Sequence, residues 1–228
     1  ATPVDMIAHE PQPPAAPAVV DDQACRVGSL PVGALDAAFA EQAAGIEFGT
    51  LAHQEIVDER VVQIDAHLDF VDVRHGVRHG HGNPMRRAAE QDHVKGITAL
   101  GIRNVSSTAK DGYEAARKMG DDILSVRQIR KLGIEATLAR IPKGIDYYLT
   151  IDIDGFDPSI APGTGTPSHG GFLYYEVLEL IDGLTKQGNI IGIDLVEVAP
   201  DYDHSDTTTI LAAQILLNTI GRIAHNRR

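Results

Sequence analysis

The 228-residue chain is 43% hydrophobic and 23% charged, which is ordinary for a globular domain. Its formal net charge of −12 argues against a nucleic-acid partner, because phosphate binding requires clustered lysine and arginine; the acid excess fits a solvated surface, attraction of cations, or both. The chain has a single cysteine, Cys25, which suits a reducing compartment. It shows no apolar run near the roughly 20 residues of a membrane span and no secretory pattern. We therefore expect a cytoplasmic protein without a membrane partner.

The first part of the chain differs in composition from the rest. Residues 1–24 are rich in proline and predict an extended arm, whereas residues 33–44 are rich in alanine, leucine and glutamate and predict a helix. We therefore expect an N-terminal arm and helix over residues 1–45 and one functional domain over residues 46–228.

Strands and helices alternate from residue 60 onwards. Short apolar runs at residues 61–64, 97–102, 147–153 and 190–198 are typical of strands that are covered on both faces. Helical patterns lie at residues 111–119, 126–132, 174–187 and 206–220. Gly133, Gly188 and Gly221 stand where helix-ending glycines belong, and Ser205 could cap the last helix.

The last helical pattern also predicts a buried stripe. Most of that stripe would be formed by Ile210, Leu211, Ile215, Leu216 and Leu217. The alternation as a whole predicts an α/β fold with a mostly parallel central sheet between layers of helices. In such sheets binding sites lie beyond the carboxyl ends of the strands.

A first group of candidate ligands follows the first predicted strand. In extended backbone Asp65, His67 and Asp69 would point the same way, because side chains alternate with a period of two. Buried without a counter-ion, these carboxylates would repel each other, and a divalent cation removes that cost. The alternative is a polar strand end that forms ordinary surface salt bridges.

A second group closes the third predicted strand. Asp152 and Asp154 share one face there, while Ile151 and Ile153 face the other. Carboxylates with one imidazole suit manganese or a similar divalent metal, and zinc remains an alternative. Four carboxylates and one histidine are too many for one structural ion and suit two metals about 3.5–4 Å apart.

Both groups and their surroundings resemble the ureohydrolase family, which includes arginase, agmatinase and guanidinobutyrase. The resemblance covers roughly residues 58–222, and it rests on the ordered stretches VVQIDAHLDFVD, HGHGNP, YYLTIDIDGFDPSIAPGTGTPSHGG and GIDLVEVAPDYD. It looks closer to agmatinases and guanidino-acid hydrolases than to arginases. It implies a three-layer α/β/α fold shared with related deacetylases, two divalent ions (manganese, or nickel), and a homo-oligomer that is a trimer or hexamer.

The resemblance also implies metal ligands by position. Asp65 and Asp152 look like carboxylates that bridge both metals. His67 and Asp154 are similar to the other ligands of one metal, and Asp69 resembles a ligand of the second.

Further roles implied by the resemblance concern the substrate. His81 resembles a proton-shuttling histidine, Glu197 resembles the acid that orients the guanidinium, and Asn83 would contact the substrate. Residues 163–171 would form a loop at the mouth of the site, where His169 could sort substrates or only structure the loop.

The sequence departs from the family at one point. The family carries an upstream Gly-Gly-Asp-His-Ser string whose histidine completes the second metal site, and this chain has none; His53 lies too near Asp65 and outside any glycine turn. Three explanations are open. The sequence joins segments that are not contiguous in the natural chain, or the protein is a natural variant with one weakened metal site, or it is a non-catalytic subunit.

These observations predict a two-metal amidinohydrolase that releases urea and an amine from a small guanidino substrate. Two metals would lower the pKa of a bound water so that it is present as hydroxide at neutral pH. The hydroxide could then attack the delocalised guanidinium carbon. The substrate would be agmatine or a guanidino acid. The alternatives are a regulatory subunit without turnover, a hydrolase of small guanidines such as guanylurea or biguanides, and a deacetylase of the related fold.

Overall fold

The structure is a computed structural model, and it describes residues 59–226. The expected arm, the helix at residues 33–44, Cys25 and His53 lie outside the described residues. The proposed domain boundary at residue 45 also lies there and stays a prediction.

In the described part of the chain, five strands form one sheet in which every neighbouring pair is parallel. Their order across the sheet is β3-β2-β1-β4-β5. The strands are β1 (Glu59–Ile64), β2 (Val94–Leu100), β3 (Asp122–Leu124), β4 (Asp146–Asp152) and β5 (Asn189–Val196). All four predicted strands are confirmed with ends displaced by up to three residues, and β3 was missed because three residues carry too little periodicity to detect.

Within residues 59–226, six α-helices connect or follow the strands. They are α1 (Pro84–Ala89), α2 (Lys110–Lys118), α3 (Val126–Leu132), α4 (Ile134–Leu138), α5 (Tyr174–Gln187) and α6 (Thr207–Asn226). The helices predicted at residues 111–119, 126–132, 174–187 and 206–220 correspond in that order to α2, α3, α5 and α6. The short helices α1 and α4 were not predicted. Gly133 and Gly188 follow α3 and α5 directly, as expected.

Hydrophobic residues pack on both faces of the sheet. Val62 and Ile64 belong to a cluster with residues of α3, α5 and α6, whereas Val61 belongs to a second cluster with Met85 of α1 and Ala116 of α2. Successive residues of β1 thus enter opposite layers, as the period of two requires. The predicted α/β fold with a parallel sheet between helices is confirmed.

Helix α6 corrects two details of the sequence analysis. Its buried face consists of Thr208, Leu211, Ala212, Ile215 and Thr219. Ile210 and Leu217 are exposed, because a face of 3.6-residue period takes every third or fourth position and not each apolar residue.

The two ends of α6 also differ from expectation. The Asp203 carboxylate, and not Ser205, accepts the backbone N–H groups of Thr208 and Thr209. The helix runs through Gly221 to Asn226, because the chain stays helical there and does not enter the left-handed turn that makes glycine a terminator. Within residues 59–226 the structure shows no helix with the length and apolarity to cross a bilayer.

Candidate metal centre

The first ligand group lies where the chain leaves β1. Asp65 follows the strand, and its N–H donates to the carbonyl of Leu100 at the end of β2 (3.0 Å). Asp65 and His67 are buried. The backbone is not extended here, as the sequence analysis assumed: residues 65–69 form no strand, and Asp69 has a left-handed φ of 51°.

The second group is formed where β4 passes into one turn of 3₁₀ helix, Ile153–Gly155. Asp152 is the last residue of the strand, and its carboxylate accepts the N–H of Asp154 (2.9 Å). The two aspartates therefore lie on a strand end and a turn, and not on one face of a continuous strand. Both are buried.

Gly155 allows the two groups to approach each other. A Cβ at this position would lie 3.0 Å from the backbone nitrogen of Asp65 and 3.2 Å from its Cα. The Asp154 carboxylate accepts the N–H of Ala66 (3.2 Å), which ties the second group to the first. The glycine in the Asp-Ile-Asp-Gly string therefore has a steric reason.

Three side chains converge closely. The Nδ1 atom of His67 lies 2.9 Å from Oδ2 of Asp154 and 3.6 Å from Oδ1 of Asp65. Potential ligand atoms of these three residues all lie within 4.8 Å of one another. The structure thus brings together three of the five predicted metal ligands from two separate segments.

Asp69 and Asp152 lie close enough to add charge to this group, although they are not part of its tight core. Burial raises the pKa of both carboxyls well above the usual value, and the charge of Asp65 raises them further. The charge of Glu197 acts in the same direction on both. Glu197 itself is half-buried and has a left-handed φ of 64° just beyond β5.

The pKa values of Asp65, His67 and Asp154 are shifted in different directions. Burial raises the pKa of Asp65 to about 6. Burial disfavours the charged form of His67, yet hydrogen bonds to Asp154 and Asp65 outweigh it and raise its pKa to about 10. Burial also opposes ionisation of Asp154, but the hydrogen bond from His67 prevails and lowers the pKa of that carboxyl. Metal binding at these residues would therefore compete with a proton on His67, since a ligating imidazole must be neutral.

The donor set fits a divalent metal ion. Carboxylate oxygens and one imidazole nitrogen are ligands that manganese, nickel and zinc accept. The group carries more negative charge than one histidine balances, and a cation would relieve the cost of burying it.

Sequence analysis missed two residues that support the group. Gln63 on β1 donates from Nε2 to Oδ2 of Asp65 (2.8 Å) and to the carbonyl of His67 (3.0 Å). The signal was a polar residue inside an otherwise apolar strand. The second is Arg103, which follows β2 and donates to the carbonyl of Asp154 (2.6 Å); nothing in its local sequence marks it.

The predicted substrate residues occupy two loops. His81 is exposed in the loop between β1 and α1, and His169 is exposed in the loop at residues 163–171. Asn83 is buried, and its side chain closes the first loop: it donates to the carbonyl of Val71 (2.6 Å) and accepts from the N–H of Gly80 (2.9 Å). Within residues 59–226 none of these three side chains forms a hydrogen bond or ion pair with a predicted metal ligand, so their roles stay predictions.

The other histidines within residues 59–226 lie at or near the surface. His75, His79, His204 and His225 are exposed. His93 is half-buried, and its Nε2 lies 3.4 Å from a carboxylate oxygen of Glu59.

The fold and the site together define an α/β protein in which buried carboxylates and a histidine, in a set that could hold a metal ion, converge at the carboxyl ends of parallel strands. Residues 45–221 match the arginase family, and the chain belongs to that family. The predicted resemblance is confirmed.

Individual relatives are similar over most of this chain. A guanidinobutyrase of Pseudomonas aeruginosa is 38% identical over 162 residues, which are 68% of this chain and 50% of that protein. The mitochondrial guanidino acid hydrolase of Homo sapiens is 36% identical over 166 residues, 70% of this chain and 46% of that protein. The solved proclavaminate amidino hydrolase from Streptomyces clavuligerus has a TM-score of 0.66 and 32% identity, covering 73% of this chain and 56% of that one. The chain spans about half the length of the curated relatives it matches.

Proposed function

We propose that this protein is a metal-dependent amidinohydrolase that splits the guanidino group of a small molecule into urea and an amine. The observation that carries the proposal is the buried convergence of Asp65, His67 and Asp154 at the carboxyl ends of β1 and β4. Relatives named guanidinobutyrase, guanidino acid hydrolase and agmatinase support it.

Two divalent ions, manganese or else nickel, would be held by five residues. Asp65, His67 and Asp154 form the tight group, and Asp69 and Asp152 add their carboxylates from its edge. When bound, the ions supply a water of lowered pKa that is nucleophilic at neutral pH.

The remaining steps belong to the side chains of this chain. The Glu197 carboxylate would bind the planar guanidinium through two parallel hydrogen bonds and so orient its carbon. His81 would give a proton to the leaving amine, since a positioned imidazole can act as a general acid. Asn83 and His169 would contact the rest of the substrate.

The substrate class proposed is agmatine or a guanidino acid, with small guanidines such as guanylurea as the alternative. Agmatine carries a second cation and a guanidino acid carries a carboxylate, so the two differ in the charge that the mouth of the site must accept. A cytoplasmic homo-oligomer, a trimer or hexamer, completes the proposal.

A non-catalytic subunit of a ureohydrolase assembly is the second candidate. It is favoured by the composition of the tight group, which contains one histidine among the described residues. The sequence also lacks the upstream string with the further histidine ligand.

One experiment separates the two candidates. The chain is loaded with manganese or nickel, its metal content is measured, and urea release is assayed with agmatine, 4-guanidinobutyrate and guanylurea, with chelator-treated protein as the control. We expect about two metals per chain and metal-dependent urea from at least one substrate. Bound metal without urea from any guanidine would overturn the enzyme, and near-zero metal would favour the subunit.

A further inference from the structure

The Arg103 side chain donates many hydrogen bonds to backbone carbonyls beside the group formed by Asp65, His67 and Asp154. It follows β2 and is half-buried. Its guanidinium donates to backbone carbonyls of three separate segments: from Nη2 to Asp154 (2.6 Å), Phe156 (3.2 Å) and Ser168 (2.6 Å), from Nη1 to Gly101 (3.2 Å) and Gly155 (3.3 Å), and from Nε to Ser168 and His169 (3.2 Å each).

These carbonyls belong to elements that have different roles in the proposed site. Asp154 and Gly155 form the turn that carries a proposed metal ligand, and Ser168 and His169 belong to the loop at residues 163–171. The planar guanidinium holds its donors in a fixed fork, so it can join several carbonyls in one geometry. An ammonium group is a compact point charge and cannot span the same set.

The loop also contacts the site independently of Arg103. The Thr166 hydroxyl donates to Oδ2 of Asp154 (2.9 Å), and Thr164 pairs with Val198, the residue after Glu197. A shift of this loop would therefore change the surroundings of a metal ligand and of the proposed guanidinium-binding acid together.

We propose that Arg103 is a positioning residue that fixes the turn of Asp154 and the loop at residues 163–171 to each other. The metal group and the substrate-facing loop then keep one spacing whether or not substrate is bound. This inference rests on the proposed function for its kinetic consequence, but its structural consequence is independent of turnover.

The test compares Arg103→Lys and Arg103→Gln with Arg140→Lys in the full chain. Arg140 is exposed, and within residues 59–226 its side chain bonds only to Asp122, so it controls for exchanging an arginine as such. Three measurements are made: amide hydrogen exchange of residues 163–171 without metal, manganese affinity by calorimetric titration, and KM and kcat for urea release at saturating manganese.

We expect faster exchange in residues 163–171 for both Arg103 variants and a manganese affinity about 10–100-fold lower, the usual loss when a partner behind a metal ligand is removed. KM should rise by a larger factor than kcat falls, because the loop is proposed to contact the substrate. Arg140→Lys should match the wild type in all three measurements.

Unchanged exchange and unchanged manganese affinity in Arg103→Lys would overturn the proposal. Loss of the folded state in both Arg103 variants would overturn it too, since Arg103 would then be a general requirement for folding. If the wild type releases no urea, the proposed function fails, whereas the exchange and manganese measurements still decide the role of Arg103.

Discussion

The two ends of the parallel sheet bury carboxylates in different ways. At the carboxyl ends of β1 and β4, Asp65 and Asp154 are gathered around His67. At the amino end of β3, Asp121 is buried: one carboxylate oxygen accepts the N–H of Ile97 (2.9 Å), the other has no hydrogen-bond partner among the described residues, and the nearby charge of Arg60 offsets only part of the cost of burial. Arg60 is itself fixed by hydrogen bonds, so one end places a single buried acid near an arginine, whereas the other gathers two acids around one histidine.

This difference shows which buried acids point to function. A single carboxylate with a fixed arginine is a structural solution to burial, whereas several carboxylates sharing one histidine favour an exchangeable cation. The carboxyl end is also where parallel α/β sheets place their binding sites. The two ends can therefore be separated by experiments that disturb one and leave the other intact.

The largest expected effect is that of Asp154→Ala. It removes a proposed ligand and the partner of His67, so metal binding and urea release should fall by more than about 100-fold, the upper range for supporting residues alone. The fold should persist, because the side chain serves the ion more than the packing. Metal analysis, urea assay and circular dichroism check this.

Asp121→Asn is the matched control for Asp154→Ala. It changes a buried aspartate at the opposite end of the same sheet. If it lowers metal content as much as Asp154→Ala does, the proposed distinction between the two ends is wrong.

The next effect concerns two exposed histidines of one loop. His81→Ala should lower kcat about 100-fold, the lower range for loss of a general acid, while His79→Ala should leave kcat near the wild-type value. Measuring kcat for both variants at saturating manganese tests the assignment. Equal effects of the two substitutions would assign His81 to the loop surface.

The sequence predicted the long strands and the ligand types because apolar runs and repeated acids are local signals. It could not predict the geometry that joins them. Asp69 adopts a left-handed φ, which breaks the period-two argument, and Asp154 lies in a 3₁₀ turn and not on the strand. The tight group nevertheless forms, since the carboxyl ends of neighbouring parallel strands meet at one edge of the sheet.

Supporting residues were harder to predict than the proposed ligands. Apart from Gly101, the carbonyls that Arg103 binds are 51 to 66 positions away, and such contacts leave no pattern in a single sequence. Residues 163–171 were expected at the mouth of the site because of family resemblance, and the structure adds the physical contacts of Thr166 and Ser168. Long-range backbone contacts are thus the part that needed coordinates.

A stability effect should come from Gly101→Ala at the carboxyl end. Gly101 has a φ of +102°, and a Cβ there would lie 2.8 Å from the Asp65 carbonyl oxygen and 2.8 Å from the Phe172 ring. Overpacking of this kind costs about 1–3 kcal/mol, so the free energy of unfolding should fall by about 2 kcal/mol. Denaturant titration measures it.

Gly165→Ala is the control for Gly101→Ala. Nothing lies within 4 Å of the Cβ it would add, and the change should stay within about 0.5 kcal/mol. Equal destabilisation by both substitutions would show that the close approach of Gly101 to Asp65 is not tight in solution.

The smallest effect is a pH dependence at the amino end. Burial raises the pKa of Asp121 to about 6, against hydrogen bonding to Ile97 and the charge of Arg60, which lower it. The folded protein then binds this proton more tightly than the unfolded chain, whose pKa is near 3.8. The contribution of Asp121 to the free energy of unfolding is therefore fully present below about pH 4 and is lost as the pH rises through about 6.

The variant Asp121→Asn isolates this contribution from the other carboxyls that titrate in the same range. The wild type should lose about 1–2 kcal/mol relative to the variant between pH 4 and pH 7, after allowance for solvent screening of a partly accessible group. Urea denaturation of both proteins at several pH values measures the difference. A difference that does not change with pH would mean that Arg60 balances the charge of Asp121 fully. The contrast between the two ends of the sheet would then be sharper, since all uncompensated burial of carboxylate charge would lie with the proposed metal ligands.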